Sequence, residues 1–476
     1  MAITIEEMAA FCKRKGFVFP SSELYGGLAG FFDYGPFGVE LKKNIVREWW
    51  RFMVLKRENI VGMDGAIISP EAVWKASGHL SSGFADVLLS CSKCKTVVRA
   101  DVFIQEATGK DVAGASPEEI DRIVREENLA CPACNSAFKK ASLLNLMFPV
   151  TIGVSDDSGV RAYLRGETTQ MIYLDFKLVA HAARLKLPCG IAQVGKAFRN
   201  EISPRNFLFR CREFEQMEMQ FFIRGAEEAQ WFSFWKKERL SWWSSLGVKK
   251  ERLRFHPHKK EELAHYAKAA EDIEYAFPFG WKEIEGVHNR GDWDLSNHAK
   301  QSKKSLAVFD EEAKQNVTPH VIETSAGLDR AFLAFLFEAF DNDQERGNIV
   351  LHLHPRLAPV KFAVFPLVKK GGLREKAREV FSLLQGAFDD APVVFDDGGS
   401  IGRRYARQDE IGTPFCITVD FDSLEKNDVT VRDRDSTRQV RVPLAELEGL
   451  ARRLVRGDVV FSSLIEQFEE CEVKSK

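Results

Sequence analysis

The spacing of apolar residues changes several times along the chain, and each change marks an element. After the turn Tyr34-Gly35-Pro36-Phe37-Gly38, residues 38–58 carry apolar side chains at helical spacing, which predicts a long amphipathic helix. Residues 141–223 alternate strand-like runs with turns. Residues 224–270, rich in Trp, Lys and Glu, read as helical, with Trp231, Trp235, Trp242 and Trp243 as packing residues. Ala331–Phe340 is a short apolar helical run, and Leu351-His352-Leu353-His354-Pro355 ends the central region at a proline. Beyond Pro359, Val360–Leu367 is a buried-strand run, 371–388 an amphipathic helix, and Val393–Phe395 and Phe415–Val419 are further strands. Arg452–Val460 closes the unit near a last helix. Strands alternating with helices predict a separate C-terminal α/β domain of ~115 residues.

The window Val194–Phe222 is the most informative. It predicts one strand over Gly195–Glu201, a loop over Ile202–Phe207, and a long second strand over Leu208–Phe222. Side chains alternate faces along a strand. Arg210, Arg212, Phe214, Gln216 and Glu218 then share one face, with Phe209, Cys211, Met217, Met219 and Phe221 on the other, interrupted by Glu213 and Glu215. Guanidinium groups suit phosphate oxygens, a phenyl ring offers a flat surface to a purine, and a carboxylate can hold an ammonium. The plainer alternative is a solvated outer strand of mixed charge.

The 476 residues suffice for about three structural units. With 45% hydrophobic and 29% charged residues the composition is that of a folded globular protein, not a disordered one. A net charge of −2 excludes unspecific coating of nucleic acid but leaves room for local basic patches. No apolar stretch approaches the ~18 residues of a membrane span. The N-terminus lacks a basic segment followed by an apolar run, so the sequence predicts a cytoplasmic protein with no membrane partner.

Four of the nine cysteines form two knuckles, Cys91-x-x-Cys94 and Cys131-x-x-Cys134, whereas Cys12, Cys189, Cys211, Cys416 and Cys471 are scattered. The knuckles match a structural zinc site of four thiolates, which leaves no coordination position open for catalysis. The alternative is a pair of unrelated reduced turns. Between the knuckles, Ser116-Pro117-Glu118-Glu119 predicts the capped start of one short helix within Thr108–Asn128. The segment of roughly 88–140 reads as an insertion stapled by metal, without a core of its own.

Phe198-Arg199-Asn200-Glu201 followed by Arg210-Cys211-Arg212-Glu213-Phe214 resembles motif 2 of class II aminoacyl-tRNA synthetases. Gly35-Pro36-Phe37-Gly38 before its helix resembles motif 1, and Glu323-Thr324-Ser325-Ala326-Gly327-Leu328-Asp329-Arg330 resembles motif 3. Leu164–Gln170, Arg212–Glu218 and Arg290-Gly291-Asp292-Trp293-Asp294-Leu295 together look like the homodimeric glycyl-tRNA synthetases. The resemblance spans about Gly16 to Leu450.

It implies an α+β fold: a class II catalytic domain with an antiparallel sheet flanked by helices over 1–358, interrupted by a zinc-knuckle insertion at 88–140 and a helical insertion at 224–270. An α/β anticodon-binding domain would follow over 359–476, and the motif 1 helix would lie at a dimer interface. The implied reaction is ATP-dependent activation of glycine to glycyl-adenylate and its transfer to the 3′ end of tRNA(Gly), with Mg²⁺ as cofactor. Arg199 and Arg330 would be catalytic; Arg199, Asn200, Glu201, Phe209, Arg210, Phe214, Glu283, Ile284, Gly327 and Arg330 would bind ATP. Arg99, Glu167, Phe214, Glu218, Glu323 and Ser325 would bind glycine. Arg403, Arg404, Tyr405 and Arg407 would meet the tRNA anticodon, the arginines as phosphate-seeking cations and the ring as a stacking surface.

The sequence departs from the family pattern at Thr169, Met171 and Thr324, where Ala, Gly and Pro are usual, and the bulk of Met171 puts the shape of the site in question. Two other classes compete with the enzyme reading: a non-catalytic synthetase-like module that binds RNA or a polymerase, and a class II synthetase for another amino acid. Retention of Arg199, Arg210 and Arg330 argues against the first, and the carboxylate set with Glu167–Gln170 against the second. His352 with His354, and His256 with His258, lack ligand spacing and read as structural or surface residues.

Overall fold

The computed structural model describes residues 3–81, 84–112, 114–153, 159–258, 268–388 and 391–471. Its centre is a seven-stranded sheet in the order Leu253–Pro257, Ala269–Phe277, Gly280–Gly291, His320–Gly327, Glu213–Ile223, Cys189–Phe198, Ile60–Gly62. All neighbours are antiparallel except the last pair. Alternation along Glu213–Ile223 sends Met217, Met219 and Phe221 into one core with Ile322, Phe332, Leu336 and Trp243. That core is covered by the helices Pro36–Trp50, Glu228–Ser245 and Leu328–Ala339. On the opposite face the helix Thr169–Ala182 covers only one end, where Phe176 stacks on Phe222 with ring centroids 4.0 Å apart. The rest of that face is an open cleft.

The two predicted strands of the central window have different bounds: the first starts earlier, at Cys189, and the second is shorter, Glu213–Ile223. The first ends at Phe198, leaving Arg199–Glu201 beyond it. The second begins only at Glu213, because Phe207–Phe209 forms a tight turn entered through positive φ at Asn206 and Phe207. Arg212 is bent back, donating from Nε to the Glu201 carbonyl (2.8 Å) and from Nη1 to that of Ala29 (2.9 Å). Arg210 and Arg212 therefore do not continue the face of Phe214, Gln216 and Glu218.

The helical reading of 224–270 holds only for Glu228–Ser245. Gly247 leaves the helix with φ of 99°, and Leu253–Pro257 forms the edge strand of the main sheet. Residues 259–267 lie outside the described residues. Trp235, Trp242 and Trp243 are packing residues, fully buried in the main core.

The cysteine-bearing segment also differs. It holds two helices, Ala100–Thr108 and Pro117–Glu126, against the strands Ala85–Ser90, Val97–Arg99 and Ser142–Asn145. Leu89, Ala100, Ile104 and Ile120 give it a small buried core of its own.

The C-terminal unit is a five-stranded sheet in the order Val393–Phe395, Phe362–Pro366, Phe415–Val419, Asp428–Asp433, Gln439–Pro443. The first three strands are parallel and the last two antiparallel. Helices Leu373–Ala387 and Leu444–Arg456 bury its apolar face. The connection to this unit is tied down. Asn44 Nδ2 donates to the carbonyls of Leu357 (3.2 Å) and Ala358 (2.9 Å), and buried Lys361 donates to those of Pro355, Arg356 and Ala358. Arg346 reaches across to the carbonyls of Arg434 and Asp435. Among the described residues no helix is long and apolar enough to cross a membrane.

Candidate active site

The open face of the main sheet is a cleft of about 270 Å³, acidic at its inner end and lined by arginines nearer the mouth. Register builds the acidic end. Glu218 sits opposite Ser325, Gln220 opposite Glu323, and on the next strand His288 stands opposite Glu323 and Gly286 opposite Ser325. Glu167 enters from the turn before the helix Thr169–Ala182.

Each carboxylate is held by specific donors. Glu218 Oε2 accepts from Thr168 Oγ1 (2.5 Å) and Thr169 Oγ1 (2.6 Å), while its Oε1 accepts from Ser325 Oγ (2.7 Å) and Gln216 Nε2 (3.0 Å). Glu323 Oε2 accepts from Gln220 Nε2 (2.8 Å) and Arg290 Nη1 (3.0 Å), and its Oε1 meets His288 Nδ1 at 2.9 Å. Glu167 accepts from Gln170 Nε2 (2.7 Å) and lies 3.3 Å from His79 Nε2. Arg290 is itself forked onto Asp294.

These surroundings split the three carboxyls. Burial, with Glu323 and Glu167 nearby, outweighs the threonine hydroxyls and pushes Glu218 up to about 7. Burial opposes charge at Glu323 and Glu167 as well, but Arg290 and His288 hold the first below its ordinary value, and His79 with Arg290 holds the second well below. Three buried carboxyls around one small space, with Glu218 titrating near neutrality, form a receptor for a single small cation such as an ammonium.

Arginines and rings line the outer cleft. Arg199 donates from Nε to the Gly166 carbonyl (3.0 Å) and lies between Phe84 and Phe214, its guanidinium 5.3 and 5.4 Å from the ring centroids. Arg210 stands 3.9 Å from Glu201, and burial lowers its pKa. Arg330, in the first turn of the helix that follows Gly327, lies 4.4 Å over the Phe209 ring and 2.8 Å from Glu283 Oε2. Asp329 anchors this corner, accepting from the Tyr34 hydroxyl and from the Glu215 N–H at 2.7 Å. Burial raises both Asp329 and Tyr34.

The cleft thus brings together Arg199, Glu201, Phe209, Arg210, Phe214, Glu283, Gly327 and Arg330 with Glu167, Glu218, Glu323 and Ser325. It does not gather the rest of the predicted set. The Ile284 side chain is buried in the core behind the sheet, because its neighbour Glu283 takes the cleft side of the strand. Asn200 lines a separate hollow with Asn145 and Tyr163, turned there by its N–H bond to the Leu146 carbonyl (2.7 Å). Arg99 forks onto Asp101 and lies 3.5 Å from Asp86, lining the hollow of the small insertion.

Gln216, Thr168, His288, Arg290 and Asp294 were absent from the expected set. The period-two row Gly286, His288, Arg290 on a strand was the available signal for two of them. Thr169, read as a departure from the family pattern, is a ligand of Glu218. Met171 packs away from the acidic pocket: its Sδ lies 3.7 Å from Ser69 Oγ, and a Cβ on Gly65 would come within 2.5 Å of its Cβ. Thr324 is fully buried on the side of its strand opposite Glu323.

Cys91, Cys94, Cys131 and Cys134 bring their Sγ atoms within 4.8 Å of one another. Backbone N–H groups of Lys93 and Cys94 point at Cys91 Sγ from 3.4 and 3.5 Å, as a metal-binding knuckle requires, and hydrogen bonding from Thr96 pulls Cys94 down to about 6. This donor set fits a tetrahedral thiophilic ion.

The expected anticodon residues divide. The segment that carries them is the helix Ile401–Asp409. Arg404 is buried, donating to the carbonyls of Gly399 and Pro366, and the Tyr405 hydroxyl lies 2.7 Å from Thr418 Oγ1 with its ring against Phe365. Burial withdraws Arg404 from the surface, whereas Tyr405 is half-buried with its hydroxyl turned to the sheet. Arg403 and Arg407 are exposed, Arg407 being paired with Asp396. Among His256, His258, His352 and His354, read as structural or surface residues, His258 and His352 contact carboxylates, Asp272 at 2.8 Å and Asp435 at 2.7 Å.

Family models match two stretches: the tRNA synthetase class II core domain (G, H, P, S and T) over residues 152–340 and the anticodon binding domain over residues 361–454. The chain is similar to the glycine–tRNA ligase of Clostridium acetobutylicum, 48% identical over 455 residues, covering 94% of this chain and 97% of the relative. It is similarly related to the glycine–tRNA ligases of Geobacillus kaustophilus (48% over 457 residues, 94% and 98%) and Caldanaerobacter subterraneus (46% over 454 residues, 94% and 97%).

Proposed function

The chain belongs to the glycine–tRNA ligase family of class II synthetases, and from that premise we propose how its residues carry the reaction. The enzyme activates glycine with ATP and charges tRNA with it. The observation that carries the residue assignment is the meeting, in one cleft, of three buried glutamates with an arginine- and phenylalanine-lined channel.

Glycine's ammonium docks among Glu167, Glu218 and Glu323, and Ser325 fixes Glu218. ATP lies along the outer cleft, its adenine on Phe214 with the amino group at Glu201, and its outer phosphates reached by Arg210 and Arg330. Arg199 sits at the α-phosphate, where charge develops as glycine's carboxylate attacks. Forked cations there stabilise the five-coordinate phosphorus without a covalent enzyme intermediate. Glu283 would help to hold Mg²⁺, which would supply neutralisation of phosphate charge. The acidic pocket sets the geometry of the two substrates before attack, so much of the rate comes from positioning. Glycine has no side chain to grip, and an added methylene is worth only ~1–3 kcal/mol in a yielding pocket. A pocket with every carboxylate pinned by two or more donors yields little, which supports rejection of alanine.

The four clustered thiolates hold structural Zn²⁺, which supplies cross-linking of the small insertion. Residues 1–358 form the catalytic unit with the insertion at 88–140, and 359–476 the anticodon-binding unit, which meets tRNA(Gly) through exposed Arg403 and Arg407. The enzyme works as a homodimer through the motif 1 helix. None of the nine cysteines is disulfide-bonded, which supports work in the reducing cytoplasm.

ATP–pyrophosphate exchange measured over a panel of amino acids tests the assignment. Glycine alone should support exchange, and Arg199→Ala should lower it by about 10²–10³-fold. Exchange driven by another amino acid, or none in zinc-replete protein, would refute it.

A further inference from the structure

Four titratable side chains run in file from the sheet edge to the acidic pocket: His258, just past the edge strand, then Asp272, His288 and Glu323 from the next three strands. His258 Nε2 lies 2.8 Å from Asp272 Oδ2, Asp272 Oδ1 lies 3.6 Å from His288 Nε2, and His288 Nδ1 lies 2.9 Å from Glu323 Oε1. Side-chain exposure is 28% at His258, 13% at Asp272, 21% at His288 and 4% at Glu323, so the inner end of the file is the part sheltered from water. Register sets the row, since His288 is directly opposite Glu323 and Asp272 opposite Gly286. Gly286 is required by the ring, because a Cβ there would fall 2.7 Å from His288 Nε2.

Both nitrogens of His288 face carboxylate oxygens. A neutral imidazole donates from one nitrogen only and would turn a lone pair on one of the two anions, whereas the imidazolium satisfies both. We propose that His288 is a positioning residue for glycine: its imidazolium, clamped by Asp272, keeps Glu323 ionised and aimed at the substrate ammonium. This rests on the reading of the acidic pocket as the glycine site.

The surroundings agree. Burial works against a charge on His288, but Asp272 and Glu323 outweigh it and lift the ring to about 9, while Asp272 and Glu323 are both lowered. The other groups around the file are Arg290, which holds the second oxygen of Glu323 and is shared with Asp294, His258 beyond Asp272, and the carboxyls of Glu167 and Glu218 across the pocket. Without the imidazolium, Glu323 would keep one neutral donor, Gln220, and a single shared guanidinium against two neighbouring carboxyls, and the pocket would take up a proton where the ammonium must bind.

The test is pyrophosphate exchange with glycine and ATP varied separately, for wild type, His288→Ala and His288→Asn, from pH 6.5 to 10. His288→Ala should raise KM for glycine by about tenfold or more at pH 7.5, with KM for ATP and kcat changed little. His288→Asn, whose amide can donate to Glu323 in place of Nδ1, should recover most of that loss. It should also lack the extra alkaline rise in glycine KM expected of wild type through about pH 9, where the neutral ring turns a lone pair on one of its two carboxylates. Both proteins share the titration of glycine's own ammonium, so the difference between their profiles isolates the ring. Unchanged glycine KM in His288→Ala, or equal shifts for glycine and ATP, would overturn the proposal. If the alanine variant does not fold, identical alkaline limbs for wild type and His288→Asn overturn it instead. Loss of glycine-dependent exchange in wild type would strike the reading of the pocket, not the role of His288.

Discussion

Arg330 is parked on Glu283: its Nη1 lies 2.8 Å from the Glu283 carboxylate and donates to the Glu283 carbonyl at 3.2 Å. The residue expected to clamp a terminal phosphate is thus held at the cleft mouth by a partner that ATP must displace. Both side chains are partly solvated, so the pair itself is worth little and yields readily. Glu283→Gln should leave the fold unchanged, and Arg330→Ala should lower kcat/KM for ATP by about 10²-fold with glycine binding retained. Exchange kinetics with ATP varied, beside isothermal titration of glycine, would check this.

Glu218 gives the activity a pH dependence. Below about 7 it is protonated and offers no charge to the ammonium, so kcat/KM for glycine should fall with decreasing pH through that value. Thr169→Ala removes a hydroxyl that favours the ionised form, so the acid limb should move to higher pH. The sign for stability is opposite. A carboxyl lifted in the folded state stabilises fully below its ordinary value, and that contribution is lost as pH rises through about 7. Glu218→Gln should therefore melt higher than wild type at pH 8 without glycine, as scanning calorimetry can show.

The cysteine cluster should retain about one zinc per chain by elemental analysis. Cys131→Ser, or chelation, should release it and expose the segment around residues 85–145 to limited proteolysis. The main core, which shares no buried residue with the insertion's own, should keep its melting transition.

In the C-terminal unit, Tyr405→Phe should cost roughly 1 kcal/mol of stability through the lost contact with Thr418 and leave tRNA charging unaltered. Arg403→Glu should raise KM for tRNA, more steeply at low salt, with pyrophosphate exchange unchanged. Comparing denaturant melts with charging assays separates the two.

Arg239 and Glu285 form an ion pair with no exposed surface, and Glu285 also accepts from Trp243 Nε1 at 2.7 Å. Arg239→Ala should cost about 3–5 kcal/mol in urea unfolding because it strands a buried carboxylate, whereas paired replacement of Arg239 and Glu285 by apolar residues should cost far less.

Local period made much of this fold readable. The alternation at Met217, Met219 and Phe221 placed the core side of the central strand, and so placed Phe214, Gln216 and Glu218 in the cleft. It failed at Arg210 and Arg212, because the turn at Phe207–Phe209 delays the strand to Glu213 and Arg212 bends back onto the carbonyls of Ala29 and Glu201, which no local pattern reports. The edge strand Leu253–Pro257 was hidden because its identity depends on pairing with Ala269–Phe277 across the intervening residues. Motif resemblance named Glu167, Glu218, Glu323 and Ser325 together, and all four line one cleft. It could not see that Arg404 is buried and Tyr405 half-buried, since helix phase, not residue type, decides that. The donors that pin the glutamates, Thr168, Gln220, Arg290 and His288, become partners only once strand register is known.

The stapled passage from Pro355 to Lys361 bears on how a long nucleic acid would be gauged. Five carbonyl contacts from two side chains fasten this crossing to the helix Pro36–Trp50 and to itself, so the catalytic and C-terminal lobes are not joined by a swinging tether. The protein should then act as a caliper with locked jaws, so that a tRNA would bring its two extremities to a span already set and a mismatch in reach would fall on the RNA.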